Sequence, residues 1–220
     1  MTTAIVLGAT GLVGSEIVSF LLEDPRFDSI VTLVRRAGGR GHPKLAEHVV
    51  DFRAPESWAS HVRGDVLFSA MGTTRKKAGS QAAQYEVDYT FQMRGARAAR
   101  DNDVGCLVLV SSMGADPGSA LFDSRMRGEL DRDVSALGIP RVRLLRPGIL
   151  DGEREEARPL EALGLRALRF VGAVPGMSKL RPIHARVVAR AAVAAWADPS
   201  PGVVVHEAGR LFELGSAPLD

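Results

Sequence analysis

One cysteine, Cys106, is all that 220 residues contain, so no intramolecular disulfide can form, and its place inside an apolar run predicts a packed thiol. Tyrosine is almost as scarce. Tyr85 and Tyr89 are the only two, and no lysine falls between Lys77 and Lys179. No apolar stretch approaches the roughly 18 to 20 residues that a bilayer span requires, so no membrane-spanning helix is expected. The chain enters an apolar run at Ile5, which leaves no room for a charged leader with a cleavable core, and a cytoplasmic location follows as the expectation. A net charge of +2, with arginines interleaved among acids, gives no footprint for nucleic acid. No His, Cys, Asp or Glu spacing resembles a metal site, and no repeat or low-complexity tract is present. The length suits one α/β domain with a substantial core.

Glycine is what the chain has in a telling place. Residues 5–14 read IVLGATGLVG, with Gly8, Gly11 and Gly14 at three-residue spacing. Ile5, Val6 and Leu7 suit a buried parallel strand, and Leu12 opens a helical pattern through Val13, Ile17, Phe20 and Leu21 that Asp24-Pro25 ends. In that order, a glycine turn lets the backbone approach a diphosphate, whose charge the free N–H groups of the helix N-terminus stabilise. The alternative is that the glycines serve only close helix–sheet packing.

Strand and helix signals then alternate. Strands are expected at Ile30–Val34, His48–Val50, Val66–Ala70, Val104–Val110 and Val142–Leu145, and helices at Gln81–Asp101 and Ser119–Leu137. Such alternation predicts an α/β fold with a doubly wound parallel sheet, residues 1–220 forming one domain. After Arg146-Pro147-Gly148 the pattern changes to a charged loop, an apolar helix near Leu160–Val171, a Gly/Pro loop from Gly172 to Gly176, a helix at Ala185–Ala197 and a short strand at Val203–Val205. Residues 151–185 are placed to form a small C-terminal substrate-pocket region, because ligands of such folds lie beyond the carboxyl ends of the strands. Arg166 and Arg169 also allow the 160–171 helix to be read as an amphipathic membrane-surface segment.

An NAD site places an acid at the end of the second strand. Asp28 precedes that strand, whereas Arg35 and Arg36 end it. Guanidinium forks there suit a 2′-phosphate, which favours NADP(H) as cofactor over NAD(H), against the alternative of two solvated arginines.

These residues together resemble the short-chain dehydrogenase/reductase superfamily in its atypical branch, with closest likeness to the Tat-interacting-protein-like subgroup of NADPH-binding proteins. The likeness rests on Gly8-Ala9-Thr10-Gly11, Arg35-Arg36, Met71-Gly72-Thr73-Thr74-Arg75, Val87-Asp88, Ser111-Ser112, Arg127-Gly128-Glu129, Arg146-Pro147-Gly148 and Glu156-Ala157-Arg158-Pro159. It implies a Rossmann-type fold and an NADPH cradle of Thr10, Gly11, Leu12 and Val13 under the diphosphate. It further implies Arg35 and Arg36 at the 2′-phosphate, Met71 and Gly72 on the adenine and ribose side, and Leu150 and Arg158 as additional cofactor contacts.

Catalysis in that superfamily uses a serine and a Tyr-x-x-x-Lys pair, the phenol exchanging a proton while nicotinamide carries the hydride. Ser111 and Ser112 are present, either to polarise a carbonyl or simply as turn residues at a strand end. Aligning Gly128-Glu129 with the subgroup puts Arg127 at the lysine position and Asp123 at the tyrosine position. A carboxyl with a reference pKa of about 3.9 is ionised at neutral pH, and arginine is not deprotonated in proteins, so the ordinary relay is not expected. The spacing of Asp123 and Arg127 instead predicts an i, i+4 ion pair on a helix. His184 reads as a structural histidine at a helix start, and Arg75-Lys76-Lys77 as a solvated run. Two functions remain open: an NADP(H)-dependent oxidoreductase acting on a small carbonyl or unsaturated substrate, or a non-catalytic NADPH-binding sensor or scaffold that meets a protein partner or a second copy of itself. A sugar-nucleotide epimerase relative is a weaker third, since that chemistry also needs the tyrosine.

Overall fold

The computed structural model describes residues 1–151 and 182–216. In chain order these form β1 (Thr3–Leu7), α1 (Leu12–Glu23), β2 (Ser29–Val34), β3 (Leu45–Val49), β4 (Val66–Ser69), α2 (Arg75–Ala78) and α3 (Gln81–Tyr85). A π-helical turn (Glu86–Phe91) leads into α4 (Gln92–Asp101), followed by β5 (Cys106–Val110), α5 (Phe122–Ser135), β6 (Arg141–Arg146) and β7 (Leu150–Asp151). β8 (Ile183–His184), α6 (Ala185–Ala197), β9 (Gly202–Glu207) and α7 (Ala208–Ser216) complete the described chain.

Seven of the strands form one parallel sheet in the order β3-β2-β1-β4-β5-β6-β9. The chain runs outward from β1 on one side and restarts with β4 on the other, so the switch point lies between the carboxyl ends of β1 and β4. β4 and β5 are buried at every residue, as strands covered on both faces must be. Successive residues face opposite layers. Ala4 and Val6 pack with Val13, Ile17 and Leu21 of α1 and Val188 of α6, whereas Ile5 and Leu7 pack with Phe91, Ala96 of α4 and Leu130 of α5. The doubly wound α/β architecture is therefore as expected.

Some boundaries differ. The third strand lies at Leu45–Val49 rather than His48–Val50, because its pairing begins at Ile30 opposite Leu45. The long helix expected over Gln81–Asp101 is interrupted by the π turn, and the helix after β5 begins at Phe122 rather than Ser119. α7 was not anticipated, while the Val203–Val205 signal is the centre of β9, in register with β6. The expected Leu160–Val171 helix, the Gly172–Gly176 loop, Arg158 and most of the 151–185 pocket region lie outside the described residues. Cys106 is buried, and burial pushes its thiol pKa up, as a packed thiol requires.

Two histidines give the fold a pH dependence. His206 of β9 is buried, and burial, then repulsion from Arg143 and Arg210, holds it below its ordinary value of 6.5. His48 is lowered by burial and by His61, on which it stacks at 3.9 Å. Each binds a proton less readily folded than unfolded. Stability is thus full above the unfolded value and falls as pH drops below it through the depressed folded values. The urea midpoint should decline as pH drops below the ordinary histidine value of 6.5, and His206→Gln should flatten part of that slope. An identical slope in the variant would contradict the assignment.

Candidate functional site

The glycine loop closes the gap between β1 and α1 with no spare space. Gly8 has φ +80°, and a Cβ there would stand 2.5 Å from the Ala70 carbonyl oxygen at the end of β4. A Cβ at Gly14 would stand 2.0 Å from the Gly8 oxygen. Gly11 donates its N–H to Gly8 O at 2.8 Å and is the N-cap of α1, offering no capping side chain. The first turn of α1 carries no acidic residue either. Helix N–H groups presented this way, at the sheet's switch point, fit the phosphates of a dinucleotide. Thr10 and Leu12 are exposed on the loop, while Val13 is buried beneath it. Arg35 and Arg36 follow β2 directly; both are exposed and engage no described residue by hydrogen bond or ion pair.

Across the switch point, Met71 is buried and Gly72 lies beside α5, so that a Cβ on Gly72 would meet Arg127 Nη2 at 3.4 Å. The guanidinium of Arg127 donates to Asp88 Oδ2 at 2.9 Å, the Arg127 side chain being 15% exposed and Asp88 1%. Asp88 Oδ1 also accepts from the Thr73 N–H at 2.7 Å, which fixes the loop after β4. Burial raises the Asp88 pKa, while Arg127 and the Thr73 bond oppose that rise. The expected Asp123–Arg127 ion pair is therefore corrected: Arg127 turns inward to Asp88, and Asp123 Oδ1 accepts from Gln84 Nε2 at 2.8 Å. The π turn accounts for this, since it carries Asp88 into the layer under α5 with an irregular helical phase.

The two serines at the end of β5 part company. Ser111 Oγ is buried beside the Asp131 carboxylate without closing a hydrogen bond of normal geometry. Ser112 is half-buried at the strand terminus. Asp131 accepts from Arg146 Nε at 3.0 Å, and its carboxyl pKa is raised by burial despite Ser111 and Arg146. Leu150 lies in β7, paired to Ile183 of β8 and packed on the core face that α1 and α6 share. His184 caps α6, its Nδ1 accepting from the Arg186 N–H at 3.2 Å, which is the structural role expected of it. Arg75, Lys76 and Lys77 lie exposed on α2.

Sequence reasoning passed over three participants. Asp88 appeared only as part of a motif block, with no role, and Gln84 not at all. Arg40 had no periodic signal around it, yet it lines a cavity of 170 Å³ against Thr10 of the glycine loop. Among the described residues, no group of three or more His, Cys, Asp or Glu side chains could hold a metal ion, and no helix is long and apolar enough to cross a membrane.

A family model described as NAD(P)H-binding matches residues 8–136. The protein fmp52, mitochondrial, of Aspergillus fumigatus is 38% identical over 233 aligned residues, covering 100% of this chain and 97% of that protein. Candida albicans FMP52, mitochondrial, is 39% identical over 160 residues, covering 70% of each chain. These relatives overturn the expected cytoplasmic location, since their names place them in the mitochondrion. Among solved structures, the Bordetella bronchiseptica enzyme WbmH in complex with NAD+ superposes with a TM-score of 0.70 at 18% identity, covering 95% of this chain and 76% of that one. A Burkholderia cenocepacia short chain dehydrogenase in complex with NADP gives 0.67 at 19% identity, covering 95% and 89%. At such identities the two structures speak to the fold.

Proposed function

The chain belongs to the NAD(P)H-binding family, within the atypical short-chain dehydrogenase/reductase superfamily, and from that premise we propose that it holds NADP(H) and reduces a small carbonyl or unsaturated substrate without a side-chain proton relay. The observation that carries the cofactor half is the glycine loop with its uncapped helix, flanked by the uncommitted guanidinium groups of Arg35 and Arg36. Membership of the Tat-interacting-protein-like subgroup is part of the same proposal, supported by the Gly-Thr-Thr-Arg and Arg-Pro-Gly blocks. The names of the fungal relatives support a mitochondrial setting.

Reduced nicotinamide, when bound, supplies the hydride. The chain's residues hold, orient and polarise. Gly8, Thr10, Gly11, Leu12, Val13 and Gly14 form the diphosphate cradle, and Met71 and Gly72 the wall on the ribose side. Arg127, fixed by Asp88 against Gly72, presents a permanent cation to that wall. Ser112, and not the enclosed Ser111, is the hydroxyl available to donate to a substrate oxygen. Asp123 takes the place of the phenol, and its Oδ1 is engaged by Gln84 Nε2, so the product's proton is assigned to water. Leu150 and Arg158 are carried in this proposal as further cofactor contacts.

A second reading has an observation of its own. Arg127 committed to Asp88 and Asp123 committed to Gln84 suit a protein that binds NADPH and senses or scaffolds without turnover. Single-turnover measurement separates the two. NADPH-loaded protein is mixed with aldehydes, quinones and enones while loss of the reduced nicotinamide is followed; oxidation with any class supports the reductase, and stoichiometric binding without oxidation across the panel supports the sensor. Asp123→Tyr with Arg127→Lys should raise any weak turnover by about tenfold or more, a fraction of the roughly 100-fold or more that a fully positioned general acid contributes. An unchanged rate would mean that the crevice is not arranged for such a relay.

A further inference from the structure

The cavity beside the glycine loop is built by five separate parts of the chain. Thr10 comes from the loop, Ser15 from α1, Thr32 from β2, Glu47 from β3, and Gly38 and Arg40 from the connection between β2 and β3. Thr10 joins it to the diphosphate loop, and Thr32 and Gly38 line it on either side in sequence of Arg35 and Arg36, which are not themselves lining residues. Thr32 Oγ1 is buried, with the residue 1% exposed, and has no hydrogen-bond partner. Ala9, Val18 and Leu45 complete the lining with apolar surface, and an orphaned hydroxyl among them points to a ligand or water that completes it.

The charges are arranged unequally. Glu47 Oε1 accepts the Gly38 N–H at 2.8 Å and so ties the connection down over the cavity. Among the described residues Arg40, although it shares that cavity, has no carboxylate partner and donates only to Ser19 Oγ, at 3.2 Å. A guanidinium held over a hydroxyl-lined cavity by one neutral bond retains most of its donors. That is the chemistry of a phosphate site: planar donors, permanent charge and small hydroxyls around it.

We propose that Arg40 is the residue that selects the 2′-phosphorylated dinucleotide, closing over the cavity beside Thr10, with Glu47 as the strut that holds its loop. The inference rests on the NADP(H) reading above and adds to Arg35 and Arg36 a third cation from a different part of the loop. Glu47 supplies the strut at a cost, because its charge repels a phosphate. Glutamine keeps an acceptor for the Gly38 N–H while removing that charge.

Titration of the purified protein by isothermal calorimetry tests this with two pairs of probes, NADPH against NADH and 2′,5′-ADP against 5′-AMP. Arg40→Ala should weaken NADPH and 2′,5′-ADP by about tenfold or more while leaving NADH and 5′-AMP within about twofold. Arg40→Lys should fall between, and Glu47→Gln should tighten the 2′-phosphorylated probes alone. Equal losses for both members of a pair, or no loss, would overturn the role of Arg40. Wild-type protein that binds neither dinucleotide would instead sink the cofactor reading, and wild type that binds both equally would remove the 2′-phosphate preference and this assignment with it.

Discussion

Gly14→Ala should weaken dinucleotide binding, with Kd raised by about 100-fold or more, even though alanine is the better helix former by about 1 kcal/mol. The added Cβ would lie 2.0 Å from Gly8 O and 2.7 Å from Gly8 C, and both are backbone atoms that no side-chain rotation can move. Gly8 cannot retreat, because it already sits at φ +80° against the Ala70 carbonyl. The loop must therefore shift as a unit, carrying Gly11 and the helix N-terminus away from the phosphates. Overpacking of this kind costs about 1–3 kcal/mol of stability as well. Gly209→Ala, on α7 with nothing within 4 Å of the added carbon, is the control and should be neutral or slightly stabilising. Calorimetric titration of both variants checks the contrast; a Gly14→Ala protein that binds within about threefold of wild type would show that the loop is not the phosphate cradle.

The second large effect is on stability and comes from Arg143. This arginine is fully buried in the middle of β6 and spends its guanidinium on backbone carbonyls: Ala195 at 3.3 Å, Val142 at 3.2 Å, Gly202 at 3.1 Å, Asp198 at 2.9 Å, and Ser200. Three of these acceptors lie at the end of α6 or in the turn after it, where helix carbonyls lack internal partners and a cation is favoured by the helix dipole. The same side chain reaches Gly202 at the start of β9, so one residue ties α6 and the edge strand to the sheet. Arg143→Met keeps the apolar stem and strands the carbonyls, and should lower stability by about 4 kcal/mol, or Tm by roughly 10 °C for a chain of this size. Arg143→Lys, with one donor group in place of the fork, should recover part of it. Urea denaturation of the two variants decides; a loss for Arg143→Met below about 1 kcal/mol would mean that water replaces the guanidinium without cost.

The contrast between these two residues shows what the chain discloses on its face. Gly8, Gly11 and Gly14 are legible because strand, turn and helix start are contiguous, and contiguity is what a sequence displays. The apolar runs of β4 and β5 are legible for a related reason, since burial on both faces writes itself as an unbroken stretch. Arg143 carries no such mark. It interrupts an apolar run as any solvated arginine would, and its acceptors lie 52–59 residues onward, apart from Val142. Arg127 misleads in the same way: periodicity offers Asp123 four residues back, while the actual partner, Asp88, lies 39 residues away on a π turn that no simple helical period anticipates. Arg40 belongs to a connection without periodicity, where only the folded loop brings it to Thr10. Local chemistry was readable, and partnerships across elements were not.

The central claim is that the loop between β1 and α1 holds a 2′-phosphorylated dinucleotide, whatever is then done with it. The most direct measurement is a titration of the wild-type protein with NADPH and NADH at fixed ionic strength, followed by the fluorescence of the bound reduced nicotinamide. The account predicts saturable binding of one NADPH per chain, with NADH weaker by about tenfold or more. Absence of saturable binding by either nucleotide would contradict it.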